Sequence, residues 1–372
     1  TLTGCWMKRG AVKNRTANRT DITSKILLLN DKTYVEQFRA HQHPFFVFCF
    51  AHCRLSFGRW MVYADCGKTG GKMANKKISV ALAAALGVSL LIVQALYNAT
   101  PRDTSGEQRT VLRDGVPLVY SKLSAAGAGR GTDVVMVPSL GRSASDFNEL
   151  AEAMQARGHD VVLVEPRGMR TRGGLGQEAI DLFDLADDVA AIVADANLNA
   201  HVIIGHAFGN RVSRAYATKH ADSVLGTVLI AAGGKVAIEA KTREALLRSF
   251  WVWMPDAWRR PYIRHAFFAG DNALPDYWVR GWNIPTSRMQ IRATGNTPSK
   301  TWWHGGSAPL LVIQAMQDTI APPEHTADLL EQEFGARVRV ARIENSGHAI
   351  LPEHPERVEA AIASFMEEVG RR

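Results

Sequence analysis

The pentapeptide Gly205-His206-Ala207-Phe208-Gly209 follows the apolar run His201–Ile204 and leads at once into a helical pattern. Small residues two before and two after its centre permit a sharp strand-to-helix turn that pushes the central side chain above a sheet. That side chain is Ala207, and a methyl group supplies neither the lone pair nor the proton that covalent nucleophilic catalysis needs. Two further residues with acid–base chemistry stand in loops after apolar runs. Asp318 lies in Gln314-Ala315-Met316-Gln317-Asp318-Thr319-Ile320-Ala321-Pro322, and His348 in Asn345-Ser346-Gly347-His348-Ala349-Ile350-Leu351-Pro352. Arg167, Arg170 and Arg172 follow the run Asp160–Val164. A loop at the carboxyl end of a strand can present such cations to a crevice and an anionic group, or simply hold them in solvent.

These residues must be positioned by the elements around them. Thr110–Arg113 and Pro117–Ser121 flank Asp114-Gly115, a two-residue hairpin signal. Short apolar runs then alternate with amphipathic stretches: Asp133–Val137, Ala144–Arg157, Asp160–Val164, Asp181–Asn197, His201–Ile204, Phe208–His220 and Val224–Ala231. The series resumes with Leu310–Gln314, Pro323–Phe334, Arg337–Ile343 and Pro355–Val369. Strands rich in Val and Ile that alternate with helices predict an α/β fold, a mostly parallel sheet covered on both faces. The alternation stops between Gly234 and Pro309. This insert, residues 235–308, holds seven of the nine tryptophans, at 251, 253, 258, 278, 282, 302 and 303. An insertion of that length in a compact sheet domain suggests a functional lid. Some of its aromatics are expected to roof a pocket and the others to form the insert's own core.

The segment Val202-Ile203-Ile204-Gly205-His206-Ala207-Phe208-Gly209-Asn210-Arg211 resembles the nucleophile elbow of the α/β-hydrolase superfamily, Gly-x-Ser-x-Gly, with Ala207 at the nucleophile position. The resemblance covers roughly residues 110–369 and implies an eight-stranded α/β-hydrolase fold with a helical, aromatic-rich lid. It implies Asp318 as the acid after the seventh strand and His348 as the histidine, in the superfamily's chain order. In the loop Pro138-Ser139-Leu140-Gly141-Arg142 it implies one oxyanion-hole amide from Leu140, with the second from Phe208. His206, Trp251, Trp253, Trp278 and Trp282 are the expected substrate contacts. Ser139 is a weak replacement nucleophile, because nothing in a loop serine outside the elbow brings it within reach of His348.

With Ala207 at the elbow three readings stay open. His348, oriented by Asp318, activates water or removes a substrate proton directly. The chain is a silent relative that binds without turnover. Or Ala207 replaces a serine to trap substrate. The first is the leading expectation, with a small, apolar, ester- or lactone-like carbonyl substrate, since a buried polar pair is costly to retain without a use.

Composition limits the partners. The chain has 372 residues, 46% of them hydrophobic, and a net charge of +8. Residues 1–72 carry that whole excess, 12 Lys+Arg against 4 Asp+Glu, while residues 73–372 balance at 32 against 32. No basic stripe with interleaved aromatics suggests nucleic acid. Residues 73–372 offer no His-Glu-x-x-His and no metal-ligand cluster, so neither metal nor cofactor is expected. Cys5, Cys49, Cys53 and Cys66 all precede residue 73, and their spacings lack a matching second pair for zinc. Residues 1–72 lack periodicity and read as a non-native or disordered extension, with Met73 as the biological start. Lys76 and Lys77 then precede a charge-free stretch, Ile78–Pro101, so residues 73–100 read as a signal peptide or a membrane anchor before the 101–372 domain. Either reading exports the domain, periplasmic, secreted or tethered, with membrane contact only through that segment.

Overall fold

The computed structural model describes residues 71–125, 131–171, 173–233 and 235–371. The expectations for residues 1–70, including all four cysteines, lie outside the described residues, as does Arg172.

A long helix, α1 (Gly71–Ala99), precedes the domain. The hairpin β1 (Glu107–Arg113) and β2 (Val116–Leu123) turns at Asp114 and Gly115, with φ of 51° and 75°. Both angles are the left-handed ones that a tight two-residue turn needs. Then follow β3 (Asp133–Val137), α2 (Asn148–Ala156), β4 (Val161–Val164), α3 (Leu182–Asp195), β5 (His201–His206), α4 (Gly209–Lys219) and β6 (Val224–Ile230). The sheet has the order β1-β2-β4-β3-β5-β6, continued by β7 (Leu310–Ala315) and β8 (Val338–Ile343). β2 runs antiparallel to β1 and β4, and every other neighbouring pair is parallel.

Every residue of β3, β4, β5 and β7 is buried, so these strands are apolar on both faces and show no in–out alternation. On one face they pack against α3 and α4. In α3, Leu182, Leu185, Ala186, Val189, Ile192 and Val193 form the apolar stripe, and the Asp181/Asp184 capping box fixes where the helix starts. On the other face lie α2 and the last helix, α11 (Pro355–Val369), with Leu150, Met154, Ile362 and Phe365 against β3, β4 and β6. α9 (Ala327–Phe334) and the short α10 (Ile350–Glu353) complete the described helices after β7.

The insert between β6 and β7 folds into α5 (Ala240–Ser249), α6 (Asp256–Phe267), α7 (Asp276–Val279) and α8 (Ile284–Asn296). Leu246, Phe250, Ile263, Phe267, Phe268, Trp278 and Trp282 form a third apolar cluster there. Trp302 and Trp303 belong instead to the main core beside α4.

Candidate active site

The polypeptide turns from β5 into α4 within two residues, and the glycines make this possible. A Cβ on Gly209 would stand 2.0 Å from the Val137 carbonyl oxygen, and one on Gly205 2.5 Å from the Gly209 carbonyl carbon. Ala207 at the apex has φ 48°, a left-handed conformation rare for a residue with a Cβ. Its N–H donates to the Ile230 carbonyl at 2.9 Å, which holds the strained turn against β6. The spacing of small residues in the sequence therefore reports a real steric requirement.

The carboxyl ends of four parallel strands converge here, with Ser139 and Leu140 after β3, Ala207 and Phe208 after β5, Asp318 after β7 and His348 after β8. His348 Nδ1 donates to Asp318 Oδ2 at 2.8 Å. The other carboxylate oxygen, Oδ1, accepts from the amides of Ile320 and Ala321, both at 2.9 Å. Asp318 thus caps its own turn and orients the imidazole at once, and only 2% of it is exposed. Because the carboxylate accepts the hydrogen bond from Nδ1–H, the neutral ring presents Nε2 as the free base. The Phe267 ring lies 5.8 Å from the His348 ring, centroid to centroid, and walls the imidazole on the insert side.

A cavity of about 60 Å³ opens between Ala207, His348, Ser139, Phe250, Phe267 and Trp282. Leu140 and Phe208 also line it, and neither backbone amide has a hydrogen-bond acceptor among the described residues. Gln290 Oε1, from α8, accepts from the Gly141 amide at 2.7 Å and fixes the loop that carries Leu140. A larger cavity, about 580 Å³, lies between residues 236–239 and 316–325 and shares Ile320 with the smaller one. Asp318 edges it, but its carboxylate is turned toward His348, which lines the smaller cavity.

Of the expected substrate contacts, Trp282 alone lines that cavity. His206 is fully buried behind it, and its Nε2 donates to the His348 carbonyl at 2.9 Å. It supports the backbone of His348 rather than meeting substrate. Period-two alternation explains the difference: with Ala207 at the apex, its neighbour at the end of β5 points down into the sheet. Trp278 is buried beneath Phe267 and Phe268, and the Arg142 guanidinium lies 4.7 Å from its ring. Trp251 and Trp253 stack on each other, ring centroids 5.8 Å apart, and Trp251 is exposed. Composition cannot say which side of a helix an indole occupies.

The arginine loop is also used internally. Arg167 forms a bidentate pair with buried Asp188, and Arg170 bonds the Arg102 carbonyl and Thr104 Oγ1. Two features were missed from the sequence. Arg142 pairs with Asp146 at 2.7 Å, both buried, and donates to the Arg280 carbonyl, which ties the Leu140 loop to the insert. Their i, i+4 spacing was visible, but nothing marked the pair as buried. Gln290 carried no signal.

The profile of the alpha/beta hydrolase family matches residues 134–361. Rhodomycin D methylesterase DauP of Streptomyces sp. (strain C5) is 25% identical over 58% of this chain and 84% of its own. Among solved structures, bromoperoxidase from Bacillus anthracis superimposes with a TM-score of 0.58 at 17% identity, covering 71% of this chain and 100% of that one. Esterase RhEst1 from Rhodococcus sp. ECU1013 gives 0.56 at 19%, covering 71% and 99%. At such identities the structural likeness speaks for the fold alone, and a bromoperoxidase and an esterase share that fold. The family profile spans the sheet from β3 to β8, and the chain belongs to the alpha/beta hydrolase family.

Proposed function

We propose that this protein is a hydrolase-like enzyme acting on a small, largely apolar ester or lactone, with His348 as general base, Asp318 as its orienter and the Leu140 and Phe208 amides as oxyanion donors. The observation that carries the reading is the buried His348–Asp318 pair beside two unoccupied amides at one apolar cavity. His348 Nε2 takes a proton from water, and the water oxygen attacks the carbonyl carbon. The oxyanion accepts hydrogen bonds from the two amides, and collapse expels the alkoxide, which takes the proton back from His348. Ala207 leaves room for that water where the family places its hydroxyl. The related methylesterase favours an ester substrate, and α1 supports an exported, tethered protein.

Activity profiling against acyl esters and lactones tests this. Turnover by the parent should fall by about 10²–10⁴-fold in His348→Ala, the usual contribution of a general base. Ala207→Ser should become labelled by a serine-directed phosphonate while the parent is not. A parent inert to every ester, beside an Ala207→Ser variant that hydrolyses simple ones, would show a binding protein instead. A folded Ala207→Ser variant that stays unlabelled would break the proposed geometry.

A further inference from the structure

The last turn of α1 is built into the insert. Asn98 is fully buried, and its Nδ2 donates to the carbonyls of Val252 at 2.8 Å and Met254 at 3.1 Å. The Asn98 carbonyl accepts from the Trp282 amide at 3.2 Å, and Gln94 Nε2 donates to Asp256 Oδ1 at 3.3 Å. The Arg280 guanidinium lies 4.8 Å from the Tyr97 ring centroid, and Ala95 packs against the insert's apolar cluster. Upstream of that turn, residues 79–93 of the helix are exposed among the described residues. Ser79–Ala99 is 21 residues long, and its most apolar part has a mean hydropathy of 2.2. At 1.5 Å per residue the exposed residues 79–93 rise about 22 Å, most of a hydrocarbon core of about 30 Å, and the last turn sits where that core ends.

The segment that receives the helix also carries exposed indoles. Trp258 is 63% and Trp251 36% exposed, Trp251 stacks on Trp253, and the Arg248 guanidinium lies 5.2 Å from the Trp251 ring. Amphipathic rings beside cations, at the end of an apolar helix of spanning length, are the composition of a membrane–water boundary. Trp282 closes the connection: its amide holds Asn98 and it also lines the cavity with His348.

We propose that α1 stays attached and spans a lipid bilayer, and that the Trp251–Trp258 side of the insert rests among the lipid headgroups, so the cavity takes amphiphilic esters dissolved in that bilayer. Retention follows from the packing. The small-residue stretch Val93-Gln94-Ala95, where a signal would be cut, is helical and bonded to the insert, whereas a protease needs an extended strand. The substrate class rests on the hydrolase reading above; the membrane seat does not.

The test uses the full chain reconstituted in phosphatidylcholine vesicles. With Trp6 and Trp60 replaced by Phe throughout, every remaining tryptophan lies in the insert, so quenching by lipids brominated on their acyl chains reports on it. Brominated lipid should quench the parent, and the Trp251→Ser/Trp258→Ser variant, melting like the parent, should lose most of that quenching. Quenching of these indoles by aqueous iodide but not by brominated lipid overturns the seat. Protection from both overturns it too, and points to a second copy covering the face. For the substrate class, parent hydrolysis of a long-chain p-nitrophenyl ester carried in the vesicles should follow its mole fraction in the bilayer. A rate that follows bulk concentration alone overturns delivery from the membrane. A parent inert to the ester refutes the hydrolase reading and delivery with it, while the lipid quenching still decides the seat.

Discussion

Folding alters the protonation of two buried groups, His206 and Glu165, between about pH 4 and 7. Burial lowers His206 to about 4, and the nearby His348 adds to the fall. Its usual value is 6.5, so between those pH values the unfolded chain binds the extra proton and stability rises with pH. Glu165 works in the opposite sense. It is buried at the end of β4, near Ser143 Oγ at 3.1 Å and Arg170 at 3.6 Å, and burial outweighs both and pushes it up to about 7. The folded state keeps a proton that the unfolded chain releases above 4.5, so stability falls as pH climbs from there to about 7. Where the windows overlap the slopes oppose. Glu165→Gln removes one of them, so its melting temperature should climb with pH between 4.5 and 6.5 more steeply than the parent's. At pH 8 the variant should exceed the parent by roughly 2–3 kcal/mol, with little difference at pH 4.5. Equal stability of the two at pH 8 in denaturant titrations would mean that Glu165 ionises in the fold without penalty.

At the scale of elements, the site depends on how closely two backbones approach. α4 begins against the end of β3, and no side chain fits between them. Gly209→Ala would force a methyl to within 2.0 Å of the Val137 oxygen, and since that neighbour is backbone the helix or the strand must move. We expect a loss of about 3 kcal/mol or more, or failure to fold, as for other severe overpacking. A melting temperature within a few degrees of the parent would show that the elbow relaxes easily. The insert couples to the same region through Gln290, Arg142 and Trp282, each bonded to the loop after β3 or to the helix before β1. Phe250, Phe267 and Trp282 of the insert line the small cavity, and a change in the insert's packing should reach the Leu140 amide.

At the scale of the molecule, the contacts of the apolar helix with the hydrolase core among the described residues fall on the insert. Asn98 is the joint, and Asn98→Ala would leave the carbonyls of Val252 and Met254 without that donor. Unsatisfied buried acceptors cost about 1–3 kcal/mol. The loss should be local, seen as faster amide hydrogen exchange at residues 250–258 and 280–283, with the central strands unchanged. Uniformly faster exchange across β3 to β7 would instead make this joint part of the global fold.

The order of strands and helices, the hairpin at Asp114-Gly115 and the elbow at Gly205–Gly209 were all legible in the sequence. Each depends on local chemistry: β-branched apolar runs, left-handed turn residues, and small side chains where backbones touch. Asp318 and His348 were found by their place after particular strands, and folding brings them to 2.8 Å. The insert was visible as an interruption, yet its helices were not placed, because its aromatics follow no clean period. Which indoles face the cavity, which form a core and which face outward depends on helix rotation and on the Arg142–Asp146 pair beneath them. The roles of His206, Arg167 and Gln290 likewise rest on contacts between residues 10 to 149 positions apart. Such contacts form only once the sheet has fixed the strand ends, so the chain order of residue types cannot specify them.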